Sequence, residues 1–167
     1  MDDLRATIQR LMAGHMQFVW NAAKKGLTDI LSEEDKLYAE AMLEHDEYHG
    51  FFDNAELLHD YQFDPQNETN PFLHVTLQVI IENQLRDEKP PKELVRFYDS
   101  MAVKGLSHHM IIHCIVMVFS PPFLECWYHH KPFNKKWYRR LLKKHAGWEP
   151  EDIQASMSLE LQKLFGE

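Results

Sequence analysis

The segment SHHMIIHCIVMVF, residues 107–119, constrains the fold more than any other stretch of the chain. Ser107 is a residue type that caps helices, and every position after it is apolar except His108, His109 and His113. A helix that is apolar almost all the way round belongs in the middle of a fold, so the rest of the chain must supply elements that cover it.

Those elements read as helices too. Apolar positions recur mostly at helical spacing, and the alternating β-branched runs expected of strands are missing, which predicts an all-α protein. With 167 residues the chain fits a single domain, 1–167, folded as a bundle of about six to seven helices. Such a chain buries a real core without disulfides or a metal staple.

The first helix is expected from about residue 2 to Lys25, closed by Gly26, with Leu4, Ile8, Leu11, Met12, Phe18 and Val19 on its apolar side. Ser32 followed by Asp35 predicts a second helix that reaches His49 and stops at Gly50. Asn70 and Pro71 supply a cap and a first-turn proline for a third, which Lys89-Pro90-Pro91 ends. Residues 92–104 form a fourth, shut by Gly105. Ser107 opens a fifth, which Ser120-Pro121-Pro122 should break or sharply kink. Helices from Pro121 through His130, from Asn134 to about Ala146, and from Pro150 to Phe165 complete the bundle.

A hydrophobic share of 44% and a charged share of 26% are those of a soluble globular protein. The opening MDDLRATIQR has no cationic stretch leading into an apolar one, as a signal peptide would. The longest apolar run, interrupted at His113, is shorter than a membrane span. Cys114 and Cys126 read as reduced thiols rather than a bridge, which together predicts a cytoplasmic protein with no membrane association.

The 11 histidines are the main departure from average composition. Side chains four apart on a helix share a face, so His45 with His49 and His109 with His113 can each aim two imidazoles at one ion. His74 opens a third helix, with Gln78 and Glu82 following at steps of four. Sets of this kind on separate helices are what bundles build metal centres from. Imidazole and carboxylate donors suit Zn, Fe, Mn or Ni. The ligand pool is His45, His49, His74, His109 and His113, with Glu125 or Glu82 as the carboxylate. Three or four of these make an ordinary mononuclear site, and five with a bridging acid a dinuclear one. Tyr48 points away from the His45 and His49 pair and reads as a packing residue.

Each pair taken singly also has a bland reading, since His49 at a helix C-terminus is favoured by the macrodipole alone. Burial of His109 and His113 weighs the other way. Two imidazoles on one buried face need partners, at roughly 1 to 3 kcal/mol per unsatisfied group. Those partners are either acids and carbonyls or a metal.

The segments EHDEYHGFF, TNPFLHVTLQVIIENQ, DEKPPKEL and SHHMIIH, in that order and spacing, resemble the small bacterial family catalogued as domain of unknown function 1841. Trp20, Gly26 and the Leu31-Ser32 helix start extend the likeness over about residues 4 to 145. The resemblance implies a fold unit and shared polar positions, not a reaction. Those positions fall on His45, Glu47, Tyr48, His49, Asn70, His74, His109, His113 and Glu125, with Gln78, Glu47, Asn70 and Glu82 as supporting or alternative donors. The chain departs from the family at Gln78, where relatives carry a second histidine, at Asp46, and at Pro121-Pro122.

Two further readings stay open beside metal binding. Seven of the 18 basic residues lie within 131–145, where no acid occurs, although the chain carries a formal charge of -8. Lys135, Lys136, Arg139, Arg140, Lys143 and Lys144, interleaved with Trp137 and Tyr138, can grip phosphates and stack bases. They equally fit the solvated face of an amphipathic helix that buries Trp137, Leu141 and His145, and nucleic acid is the less expected of the two. The other reading is a noncatalytic interaction or scaffold protein, possible as a homo-oligomer, with a metal-free histidine core. With an open coordination position a metal activates water for hydrolysis, or binds oxygen if it is iron. No nucleophile elbow or phosphate-binding glycine loop offers a competing chemistry, and nothing in the residues decides whether the protein is an enzyme.

Overall fold

The computed structural model describes residues 2–64 and 67–166, apart from the side chains of residues 2–6, 8 and 9. Among these residues there are eight α-helices and no strand, an all-α protein as expected. They are α1 (Asp2–Lys24), α2 (Glu33–Leu43), α3 (His49–Asp53), α4 (Pro71–Arg86), α5 (Lys92–Val103), α6 (His108–His129), α7 (Lys135–His145) and α8 (Pro150–Phe165). The chain forms two compact units, Met1–Ile80 and Ile81–Glu167, whose boundary falls inside α4.

Polar side chains cap several of the helix starts. The Ser32 hydroxyl accepts from the Asp35 N–H at 3.1 Å, Asn70 Oδ1 from the Phe72 and Leu73 N–H groups at 3.0 Å, and Asn134 Oδ1 from Trp137 at 3.0 Å. Each satisfies amide donors that a helix start leaves without a partner. Gly105, at φ 87, makes the left-handed turn between α5 and α6 that a side chain would strain.

In the first unit, α1 packs against α2 and α3. Its buried side is Met16, Val19, Trp20, Ala22 and Ala23, while Leu11, Met12 and Phe18 are exposed. The expected apolar face is therefore rotated, and of the residues expected on it only Val19 is in the core; Leu4 and Ile8 lie outside the described side chains. The rotation follows Trp20, whose large ring packs on Phe52 while its indole N–H donates to Asp53 Oδ1 at 2.7 Å. Lys24 pairs with the same carboxylate.

In the second unit, α6 packs against α5, α7 and α8. It is one continuous helix with Pro121 and Pro122 inside it, not the two helices the proline pair predicts. Each interior proline costs about 3 kcal/mol. Nine residues of this helix are buried, the two prolines among them, and a large apolar side chain contributes roughly 1.5 to 3 kcal/mol on burial. Packing outweighs the broken ladder. The Ser120 hydroxyl bonds back to the Val116 carbonyl at 2.7 Å, so it is satisfied within the helix beside the prolines.

Because the prolines do not end it, α6 is long and apolar enough by composition to cross a membrane, and half of its most apolar window is buried within the protein. Both cysteines are free thiols, and burial pushes that of Cys114 up to about 11.

His145 of α7 is fully buried, donating from Nδ1 to the Leu141 carbonyl and accepting at Nε2 from Ser156, both at 2.8 Å. Burial is the main influence and holds its pKa below the ordinary 6.5. The unfolded chain therefore takes up this proton at higher pH than the folded one. Stability is fully present above 6.5, falls as pH drops through that value, and levels off below the folded-state pKa. Between about pH 7.5 and about pH 5.5 the urea midpoint of the wild type should fall further than that of His145→Gln. Equal falls would contradict this assignment.

Candidate metal centre

The HDEYHG segment does not continue α2. That helix ends at Leu43, and His45 takes φ -118 and ψ 70 before a single 3-10 turn over Asp46–Tyr48. Nothing local forbids helix here. The break turns His45 inward, where 2% of it is exposed, and sends Phe52 into the core.

His45 and His49 consequently do not share a helix face, so the expected i, i+4 pairing of their imidazoles has no helical basis. His49 opens α3, donates from Nε2 to the Met42 carbonyl at 3.1 Å, and packs its ring on Trp20 at 4.6 Å.

The partners of His45 come from its own turn and from α4. Its Nδ1 lies 3.0 Å from Glu47 Oε1. The Glu47 carboxyl is held low first by its own backbone N–H and then by the hydrogen bond from His45. The other ring nitrogen, Nε2, lies 2.8 Å from Gln78 Nε2, and the same amide nitrogen lies 3.2 Å from His74 Nε2. With Nδ1–H donating to Glu47, His45 Nε2 carries a lone pair, and the two amide hydrogens of Gln78 serve two imidazoles. Gln78 is 3% exposed.

The rings of His45 and His74 stand edge to face with centroids 4.7 Å apart. The position of His74, one turn before Gln78, is fixed by the Asn70 cap, which is the role of Asn70 here. Tyr48 packs against the core of this unit and edge-on to Phe52 and His74, consistent with a packing residue.

In the second unit, His109 and His113 occupy successive turns of α6, half-buried, with ring centroids 4.3 Å apart. Glu125 does not join them. Twelve residues along one continuous helix place it roughly 18 Å from His113, beyond any shared coordination sphere, and its carboxylate pairs with Lys131 at 3.0 Å. The continuity of α6 is what sets this separation.

Glu82 is engaged elsewhere, 2.5 Å from His108 Nε2 and 3.7 Å from Arg86. The Tyr98 hydroxyl meets His108 Nδ1 at 2.8 Å. This Tyr98, His108 and Glu82 chain borders a cleft of about 400 Å³ lined also by Leu85, Arg86 and Val95. Sequence reading misses it, since no helical spacing links residues on three helices, and only the acidic Glu82 on the His74 face gave a signal.

The basic segment forms the solvated face of α7. Tyr138, Leu141, Leu142 and His145 are buried, whereas Trp137 is only partly so. Arg139 and Lys143 approach Glu93 at 3.8 and 3.7 Å, and Lys144 lies over the Trp148 ring. Lys135, Lys136 and Arg140 are exposed. Glu93 is held low by its own backbone N–H and then by these cations, so intramolecular partners already account for part of the charge run.

The chain belongs to the family described as domain of unknown function DUF1841, whose model matches residues 10–144. No curated protein and no solved structure matches it.

Proposed function

We propose that this protein binds a transition metal through histidine donors, His45 and His74 in the first unit and His109 and His113 in the second. The observation that carries the reading is the setting of His45. One ring nitrogen is fixed by a carboxylate and the other presents its lone pair inside the protein, the orientation in which metal-ligating histidines are usually held. The adjacent imidazoles of His109 and His113 on one helix add a second donor pair.

Zn, Fe, Mn or Ni suits such a set, since imidazole binds all four and no thiolate is among the donors. Bound there with an open coordination position, the ion supplies Lewis acidity for hydrolysis, or an oxygen-binding site if it is iron. Glu47 orients the ring of His45, and Asn70 positions His74.

The hydrogen bonds of Gln78 favour one second reading, a metal-free polar core in a scaffold protein, because they satisfy His45 and His74 without an ion. Elemental analysis of the purified protein separates the two. One ion per chain, lost equally by His45→Ala and His109→Ala, identifies a shared centre. Two ions lost separately identify two centres, and none identifies the metal-free core.

A further inference from the structure

Two imidazole lone pairs meet at one atom that is not a metal. Gln78 Nε2 lies 2.8 Å from His45 Nε2 and 3.2 Å from His74 Nε2, in a side chain that is 3% exposed. Glu47 fixes the other nitrogen of His45, so the lone pair of its Nε2 cannot turn away without losing that bond. The partial positive charge of an amide NH₂ thus sits where a cation would be drawn.

From this arrangement we propose that Gln78 is a displaceable plug, a competitor for incoming metal rather than a ligand to it. The proposal rests on the metal-binding reading above. The side chain holds both rings in the tautomer that has Nε2 unprotonated, so the donors stay aimed while no ion is bound. Entry of a metal breaks both amide bonds, and its loss restores them. A site built this way exchanges its ion, because the metal-free state keeps its own hydrogen bonds and is not left with desolvated lone pairs. The centre would therefore take up and release a divalent cation, unlike a structural zinc site that is lost only on unfolding.

The removal of two ordinary hydrogen bonds that compete with the ion corresponds to roughly a ten- to thirtyfold gain in affinity. Gln78→Leu should accordingly bind Zn²⁺ at least about tenfold more tightly than the wild type in a competition titration with a coloured chelator. Unchanged or weaker binding would overturn the proposal, weaker binding by making the amide oxygen a ligand.

Nitrogen-edited NMR of the wild-type protein tests the same point without a substitution. In the metal-free protein His45 and His74 should both carry their proton on Nδ1, and the Gln78 amide protons should exchange slowly with water. Saturation with Zn²⁺ should release those protons. If Zn²⁺ binds and they stay protected, the plug is wrong and the metal centre stands. If Zn²⁺ does not bind at all, both fall.

Discussion

Under the proposed metal binding, replacing His109 with alanine should lower the affinity for Zn²⁺ by about a hundredfold or more, while the metal-free protein should melt close to the wild type. Even the groups that orient a ligand are worth ten- to a hundredfold in metal affinity, and a ligand itself is worth no less. His109 is half-buried near the start of α6, so its truncation removes little packing.

His45→Ala should cost the same affinity and stability besides. His45 is 2% exposed and satisfies both Glu47 and Gln78, and leaving a buried polar partner unmade costs roughly 1 to 3 kcal/mol. The contrast between the two variants, measured by metal titration and by urea denaturation of chelator-treated protein, separates ligation from core structure. In a metal-free histidine core neither variant changes metal content, and chelator leaves the wild-type melting temperature where it was.

The largest effect on stability falls on Trp20→Ala, at about 3 to 5 kcal/mol. Trp20 is 1% exposed and meets Phe52 and His49, and its indole N–H holds Asp53, which also pairs with Lys24. The substitution opens a cavity in the first unit and removes the donor at once. Urea midpoints read the loss directly. A change below about 1 kcal/mol would mean that α1 is not anchored through this ring.

Trp20 also marks where sequence reading of α1 went astray. Periodicity located the helix but chose the wrong face, because Leu11, Met12 and Phe18 look as apolar as the residues that are buried. Hydrophobicity alone does not record that one large ring with a hydrogen-bond partner fixes the rotation.

Helix starts were legible at Ser32, Asn70 and Asn134, where the capping side chain acts within three residues and no distant contact is needed. Ends and interruptions were harder. The stop of α2 at Leu43 has no glycine or proline to announce it, and the two prolines of α6 announce a break that burial overrides. Both depend on what the side chains reach across the fold.

The candidate site divides the same way. His109 and His113 are neighbours because helical spacing makes them so. His45 and His74 meet through a tertiary turn, which also separates His45 from His49, and Glu125 drops out because α6 continues through its prolines. Gln78 was legible as a supporting or alternative donor one turn after His74, and as a departure from relatives. Its approach to His74 follows from helical spacing, but its approach to His45 at 2.8 Å is a tertiary contact that no linear spacing encodes.

The most direct test is the transition-metal content of protein purified without an affinity resin that carries metal, measured by elemental analysis beside the His45→Ala and His109→Ala variants. At least one ion per chain is expected in the wild type, with a loss of bound metal in each variant. Folded wild-type protein that holds no stoichiometric metal and takes up none from added Zn²⁺, Fe²⁺, Mn²⁺ or Ni²⁺ would contradict it.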